Sequence, residues 1–561
     1  MKKFKKVYNK IKKIFRLSDL EVVVLSLISL IGGFFRFLNL NWDSYAALHP
    51  DERNLSKAVL AIKFPFDWDP HFYSYNGLFI NVTEVISNFL AFLTGDSRWT
   101  DDLGHINLIL RFFSAGFSFF SIFLFFFVAR KYLKKSFALA STFLFATTVG
   151  FIQYAHYGVT ESFLLFSLLI LILLTARMYT NPDKRKLWIS LGVVFGLSIG
   201  AKTSAAAFLL LPLILFLTVS IQAKKINKKI IQNGAVAAIT SFVTFCIVSP
   251  MSLLDFSGFW RSMKFENGVV NGTTYVPYTI QFYDSNPVIY QIINSFWQVN
   301  PITIVSGILF SGIFVYFYFK KGKNSLLPFL GFSIIYFVYI AFWHAKFMRY
   351  MIPFIPFLII ASVWGFQKLS KIKILKLLSL VVLAVSLIVN FLWAFAHSNI
   401  YRNELTRISA SRWFYENADS EKILLIEHWD DQFPAKPNNF NTIYQTRFLE
   451  VYDAENDTKF EEMAEHLAVS DYYVISSRKA AGVIQKNDSI YPITSSFYKK
   501  MFSEELGYKL VKEYNVYPEI FGKEFNTDGV EESFQIYDHP EVYIFENTEK
   551  LPAEKILDLI K

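Results

Sequence analysis

Long apolar runs separated by short cationic segments set the pattern of this chain. Taking about 20 apolar residues as the length that crosses a bilayer, runs fall near residues 22–40, 106–129, 137–155, 162–180, 187–201, 204–221, 230–249, 301–319, 326–343, 348–366 and 376–396. They predict an α-helical polytopic membrane protein with about eleven transmembrane helices. The runs at 187–201 and 204–221 are short and split by Lys202, so they read as two thin helices or a re-entrant hairpin.

Cations orient these spans. Arg130/Lys131/Lys134/Lys135, Lys184/Arg185/Lys186, Lys224/Lys225/Lys228/Lys229, Lys320/Lys321/Lys323 and Lys368/Lys371/Lys373/Lys376 all fall on the side of the basic N-terminus, which the positive-inside rule makes cytoplasmic. Residues 1–21 then form a cytoplasmic segment leading into a signal anchor without a small-residue cleavage site. The opposite face receives residues 41–105, 156–161, Lys202, 250–300, 344–347 and the chain beyond about 397. In the first outer loop, Asn54 to Lys63 and Asn81 to Phe92 are amphipathic stretches suited to the membrane surface.

After Phe395 the hydropathy drops. A helical stretch around Ser409 to Asn417 and strand-like runs Ile423 to Ile426, Tyr472 to Ile475 and Val542 to Phe545 predict an extracytoplasmic α/β domain over residues 401–561, following a transmembrane domain over 22–400.

Composition agrees with a membrane protein: 53% of residues are hydrophobic and 18% aromatic, beyond an ordinary soluble chain. The net charge of +10 does not indicate nucleic acid, because the cations are dispersed between spans and form no single basic face. Cys246 is the only cysteine, which excludes an intrachain disulfide. No matched pair of Gly/Pro-interrupted helices points to an inverted-repeat transporter.

The candidate chemistry gathers on the outer face. His49-Pro50-Asp51-Glu52 places two carboxylates just beyond the first span. They suit a helix N-terminus, and one is also positioned to act as general base while the other orients it or a metal. Glu161, at the mouth of the next outward link, is either part of a helix cap or a functional carboxylate. Lys202, Lys346 and Arg349 run against the positive-inside trend; each could snorkel, and together they suit a phosphate. His49, His156 and His344 share this face and, with the carboxylates, offer donors for a divalent metal ion, though without a ligand spacing. The loop from Pro250 to Trp297, with Asp255, Glu266, Asn267 and Asp284, has a sugar-binding composition, and Asn271-Gly272-Thr273 matches a glycosylation sequon.

The order of these features resembles the polyprenyl-phosphate-sugar-dependent glycosyltransferases of the GT-C superfamily, especially the family of protein O-mannosyltransferases and lipid A aminoarabinose transferases. The likeness rests on Asp51-Glu52, Glu161, the turn from Gly200 to Thr203, and Arg349-Tyr350 followed by Pro353 and Pro356, and it covers about the first 400 residues. It implies a GT-C-like fold and inverting transfer of a sugar from a polyprenyl phosphate to an acceptor on a protein, lipid or glycan. By that likeness Asp51 is the base, Glu52 and Glu161 position acceptor or sugar, and Lys202, Lys346 and Arg349 hold the lipid phosphate, with His49, His156, His344 and Tyr350 in support.

Two features depart from the family: the loop from Pro250 to Asn300 is too short for the β-trefoil of protein mannosyltransferases, and the resemblance does not extend to the C-terminal domain. Within that domain His428-Trp429-Asp430-Asp431 and Asp538-His539-Pro540-Glu541 are candidate acceptor contacts, with turn chemistry as the plainer account. A transporter or lipid flippase using the same carboxylates for ion coupling is the alternative, and a membrane part that only anchors a C-terminal binding module is a third reading.

Overall fold

The computed structural model describes residues 18–63, 66–223, 228–320, 324–436 and 442–561. The basic segment 1–17 and Lys224, Lys225, Lys321 and Lys323 lie outside the described residues.

The first helix, α1 (Asp19–Phe37), starts with a capping box between Ser18 and Glu21. The first long loop contains α2 (Pro50–Ala61) and α3 (Gly77–Thr94). The bundle continues through α4 (Leu103–Tyr132), α5 (Lys135–Ala146), α6 (Val149–His156), α7 (Glu161–Thr180), α8 (Arg185–Ala201), α9 (Leu210–Ala223) and α10 (Lys228–Val248). The second long loop folds as α11 (Phe256–Asn271) and α12 (Pro287–Gln298). The bundle is completed by α13 (Pro301–Lys320), α14 (Leu327–Ala341), α15 (Ile355–Leu369) and α16 (Lys376–His397).

Among the described residues eight helices are long and apolar enough to cross a membrane, nine if a bent pair counts as one span, and α14 and α15 are shorter apolar helices. The expected run 137–155 is that pair, α5 and α6, bent by 46°. Polar groups satisfy the backbone at the break: Arg36 Nη1 donates to Ala146 O at 2.6 Å, Ser118 Oγ to Phe151 O at 3.1 Å, and Asn390 Nδ2 to Leu144 O at 3.0 Å.

The stretch Asn81 to Phe92 lies inside α3, whose 18 residues form one of the helices able to span a membrane. Its start is tied by Asn76 N to Ala201 O at 3.2 Å, and Phe79 packs on Phe113 and Phe117 of α4. Further along, Ser87 bonds to Trp99 just before α4 begins, so α3 and the first part of α4 run antiparallel. Elsewhere small residues set close packing: a Cβ on Gly192 or Gly196 of α8 would stand 2.5 Å from the carbonyl oxygen of Ala237 or Ser241 of α10.

Beyond α16 the chain forms an α/β unit. It comprises α17 (Thr406–Asn417), β1 (Ile423–Glu427), β2 (Gln445–Leu449), α18 (Asp457–Val469), β3 (Tyr472–Ile475), α19 (Lys479–Lys486), α20 (Pro492–Phe502), β4 (Tyr508–Tyr514), the small hairpin β5 (Glu519–Ile520) and β6 (Lys523–Glu524), β7 (Val542–Asn547) and α21 (Ala553–Ile560). The main sheet has the order β2-β1-β3-β7-β4; β2, β1 and β3 are parallel, and β7 joins β3 and β4 antiparallel. Alternation divides its side chains between two cores: Leu425, Tyr473 and Phe545 face α18, α20 and α21, while Leu424, Val474 and Ile544 pack with Phe414 of α17.

Candidate active site

Pro50 occupies the first turn of α2, and His49 caps it by accepting the Asp51 N–H on Nδ1 at 3.2 Å. Successive helical residues point about 100° apart, so the two carboxylates diverge. Asp51 reaches Arg349, Oδ2 to Nη1 at 2.7 Å, with about a quarter of each side chain exposed.

Glu52 turns inward and is fully buried. Its Oε1 accepts from Arg111 Nε at 2.9 Å and from the Gly158 N–H, and its Oε2 from Arg111 Nη2 at 2.5 Å. Arg111 also grips Asp43 with two bonds of 2.8 Å, donates to Leu40 O at 3.1 Å, and lies over the Trp42 ring at 4.3 Å. The guanidinium therefore has a partner for each of its five N–H groups and joins the first loop, α2 and α4, while Glu52 extends the cluster to the link before α7.

Glu161, the first residue of α7, accepts from Lys202 Nζ through Oε1 at 2.8 Å. Its Oε2 is buried without a hydrogen-bond partner, as is Nε of Arg349. Lys202 stands 4.6 Å over the ring of Tyr75, and the Tyr75 hydroxyl is held beside Asp51. Residues from 51, 75, 161, 202 and 349 thus meet at one end of the bundle.

The electrostatics follow from this convergence. Burial acts to raise the Asp51 pKa, but the positive charges of Arg349 and Lys202 outweigh it and hold the carboxyl down at about 2. Burial pushes the Tyr75 phenol well above its ordinary value, and the Asp51 and Glu161 charges add to that shift.

Of the other expected residues, Tyr350 stays beside Arg349, whereas Lys346, His156 and His344 stand apart from this group. Lys346 is buried and donates to His344 O at 3.1 Å, and burial lowers its pKa. Arg349 lies 5.8 Å from the Tyr350 ring, and the Tyr350 carbonyl accepts from Tyr336 at 3.0 Å. His156 is stacked on Tyr401 with centroids 3.6 Å apart, and its two nitrogens face Ile152 O and Leu38 O. The His344 N–H donates to Val270 O at 3.0 Å. Among the described residues no group of three or more His, Cys, Asp or Glu is arranged to hold a metal ion.

The C-terminal unit reaches the site through a residue outside the two motifs singled out in the sequence, Tyr537. The segment between β6 and β7 inserts into the bundle, where Glu531 Oε2 accepts from Met348 N at 3.2 Å, and Asp538 Oδ2 accepts from Tyr401 at 2.7 Å and Gln153 at 3.2 Å. Between these anchors Tyr537 packs on His49 at 4.1 Å and on Tyr157 at 6.1 Å. Asp51 and Arg349 are close enough to act on its phenol, which burial raises well above its usual range. Of the two C-terminal motifs, Asp431 pairs with Arg407 at 2.5 Å and Asp538 with His539 at 2.6 Å, so these carboxylates join parts of the fold.

Arg111 and Asp43 were also missed. Arg111 carried a signal, being an arginine inside an otherwise apolar run; Tyr537 had none, since only folding brings it to the site.

Residues 103–248 match the family model described as dolichyl-phosphate-mannose-protein mannosyltransferase. No curated protein matches the chain. Among solved structures, the archaeal oligosaccharyltransferase AglB from Archaeoglobus fulgidus, in complex with an inhibitory peptide and a dolichol-phosphate, aligns over 85% of this chain and 72% of that one at 14% identity, with a TM-score of 0.52. The apo form of the Archaeoglobus fulgidus oligosaccharyltransferase aligns over 94% and 88% at 13% identity, with a TM-score of 0.54. ArnT from Cupriavidus metallidurans bound to undecaprenyl phosphate aligns over 94% and 98% at 12% identity, but its TM-score of 0.49 carries no weight. The chain is thus a multi-span membrane protein with the GT-C fold, carrying a small C-terminal sheet domain.

Proposed function

We propose that this protein is a membrane glycosyltransferase that moves a sugar from a polyprenyl-phosphate-linked donor to an acceptor hydroxyl. The observation that carries this reading is the meeting of Asp51, Glu161, Lys202 and Arg349 at one end of the bundle, with Glu161 Oε2 and Arg349 Nε buried and lacking partners. A bound substrate would satisfy both atoms. The dolichol-phosphate in the AglB complex supports a lipid phosphate as the group these cations receive.

Asp51 takes the proton from the acceptor hydroxyl as its oxygen bonds to the anomeric carbon. The bond from that carbon to the phosphate oxygen breaks, its electron pair goes to the phosphate, and the configuration inverts. Arg349 and Lys202 neutralise the charge that develops on the departing polyprenyl phosphate. Glu161 orients Lys202 and uses its free oxygen on the sugar or acceptor. Glu52, expected to contact acceptor or sugar, instead positions α2 through Arg111, because both its oxygens are already engaged.

The distribution of cations supports a site end on the extracytoplasmic face and a cytoplasmic N-terminus. Residues 22–400 form the catalytic domain, and residues 401–561 a domain that closes over it through the Tyr537 segment.

The test is transfer of radiolabelled sugar from a synthetic polyprenyl-phosphate donor by the purified chain. Transfer by the wild type that is lost in a folded Asp51→Asn variant supports the reading. Full activity in that variant removes Asp51 as base, and lipid movement across liposomes without sugar transfer replaces the transferase by a flippase.

A further inference from the structure

The end of the bundle away from the proposed reaction site has a cavity of its own. Arg111 and Arg130 are 19 residues apart on the continuous helix α4, a rise of about 28 Å. At the Arg130 end an open cavity of about 610 Å³ lies between the start of α1, the end of α4 and the start of α5, lined by Ser18, Leu20, Glu21, Val24, Arg130, Lys134, Lys135, Ser136 and Leu139.

Its walls divide by chemistry. Leu20, Val24 and Leu139 supply an apolar side, while Arg130, Lys134, Lys135 and the Ser136 hydroxyl supply a polar one. The single carboxylate is already committed: Glu21 Oε2 accepts from the backbone N–H of Ser18 at 2.9 Å and its hydroxyl at 2.8 Å, and Glu21 pairs with Arg130 at 3.1 Å and Lys135 at 3.3 Å. Three cations against one carboxylate leave the lining with a surplus of two positive charges. Lys134 is exposed, and its own N–H donates to Gln367 Oε1 at 2.6 Å, fixing the backbone that carries the ammonium.

A ligand fitting both walls has a phosphate at one end and a hydrocarbon chain at the other. We infer that this cavity binds an anionic membrane phospholipid, its phosphate held by Lys134, Lys135 and Ser136 and its acyl chain lying along Leu20, Val24 and Leu139. Basic pockets between helices at a membrane boundary take such headgroups, whereas a free phosphate would leave the apolar wall unused. The site is separate from the one proposed for the donor, since no residue is shared.

Native mass spectrometry of the full chain in detergent tests this, using phosphatidylglycerol and phosphatidylcholine as probes. The wild type should retain phosphatidylglycerol in preference to phosphatidylcholine, and the Lys134→Gln/Lys135→Gln variant should bind it roughly thirtyfold more weakly. A Lys371→Gln/Lys373→Gln variant, which removes equal charge outside the cavity, should bind as the wild type does. Equal retention by the cavity variant and the wild type would overturn the assignment, as would equal losses in both variants. Thermal stabilisation by inorganic phosphate that disappears in the cavity variant would assign the cavity to a soluble anion and overturn the lipid as its ligand.

Discussion

Asp51 and Arg349 form an ion pair of 2.7 Å between residues 298 positions apart, across the proposed reaction site. Under the proposed mechanism the pair is a closed resting arrangement, in which the proposed base is neutralised by the group proposed to receive the leaving phosphate. On that mechanism donor phosphate should compete with Asp51 for Arg349, so that donor binding frees the proposed base. Asp51→Asn should lower transfer by roughly 10²–10⁴-fold. Arg349→Gln should lower kcat by roughly 10²–10³-fold, as expected on losing a charge-stabilising donor.

The pair also sets a pH dependence. With its pKa at about 2, Asp51 is ionised throughout the neutral range, and its acid limb in kcat/KM should fall near that value. Removing the Arg349 charge raises the Asp51 pKa, so Arg349→Gln should move the acid limb to higher pH. An unmoved limb would show that the two groups are not coupled.

Arg111 holds two carboxylates in the interior. Arg111→Met leaves Asp43 and Glu52 buried without their cation and should destabilise the protein by about 3–5 kcal/mol. Thermal unfolding in detergent measures this. Lysine should not restore the stability, since one ammonium cannot reproduce the forked contacts to both acids.

Tyr537 links the C-terminal domain to the reaction site. Tyr537→Ala removes the packing on His49, which caps the helix carrying Asp51, and should reduce kcat/KM by up to roughly 100-fold through misplacement of the base. Tyr537→Phe keeps the ring, so near-normal activity in it assigns the effect to packing. Loss in Phe equal to that in Ala would assign it to the hydroxyl.

Glu427 predicts how the C-terminal domain responds to pH. Burial, with the Asp430 charge adding to it, pushes its carboxyl up to about 8 against the hydrogen bonds from Tyr473 at 2.6 Å and Tyr498 at 2.7 Å. An unfolded glutamate titrates near 4.3. Between about pH 4 and 8 the folded chain therefore keeps a proton that the unfolded chain has released, and stability declines as pH rises through this window. Glu427→Gln should remove that decline. Melting curves from pH 5 to 8 should show the variant gaining steadily on the wild type; a constant difference would contradict the assignment.

The parts of this architecture legible in the sequence share a physical cause. Strands β1, β3 and β7 form the interior of the sheet and were visible as apolar runs, whereas β2 and β4 are its two edges, and their sequences QTRFL and YKLVKEY mix charges with apolar residues. Asp51, Glu161, Lys202 and Arg349 were readable because each interrupts apolar sequence near the end of a span. Their pairing was not, because hydropathy reports depth and says nothing about which helices are neighbours. Glu52 shows the same limit: its neighbour in sequence points to the site, and only the fold shows that its own side chain points to Arg111.

A structure of the protein bound to a polyprenyl phosphate tests the central claim most directly. The phosphate should lie within hydrogen-bonding distance of Arg349 and Lys202, with Asp51 released from Arg349 and turned toward the open site. A phosphate bound at the far end of the bundle, with the Asp51–Arg349 pair intact, would contradict it.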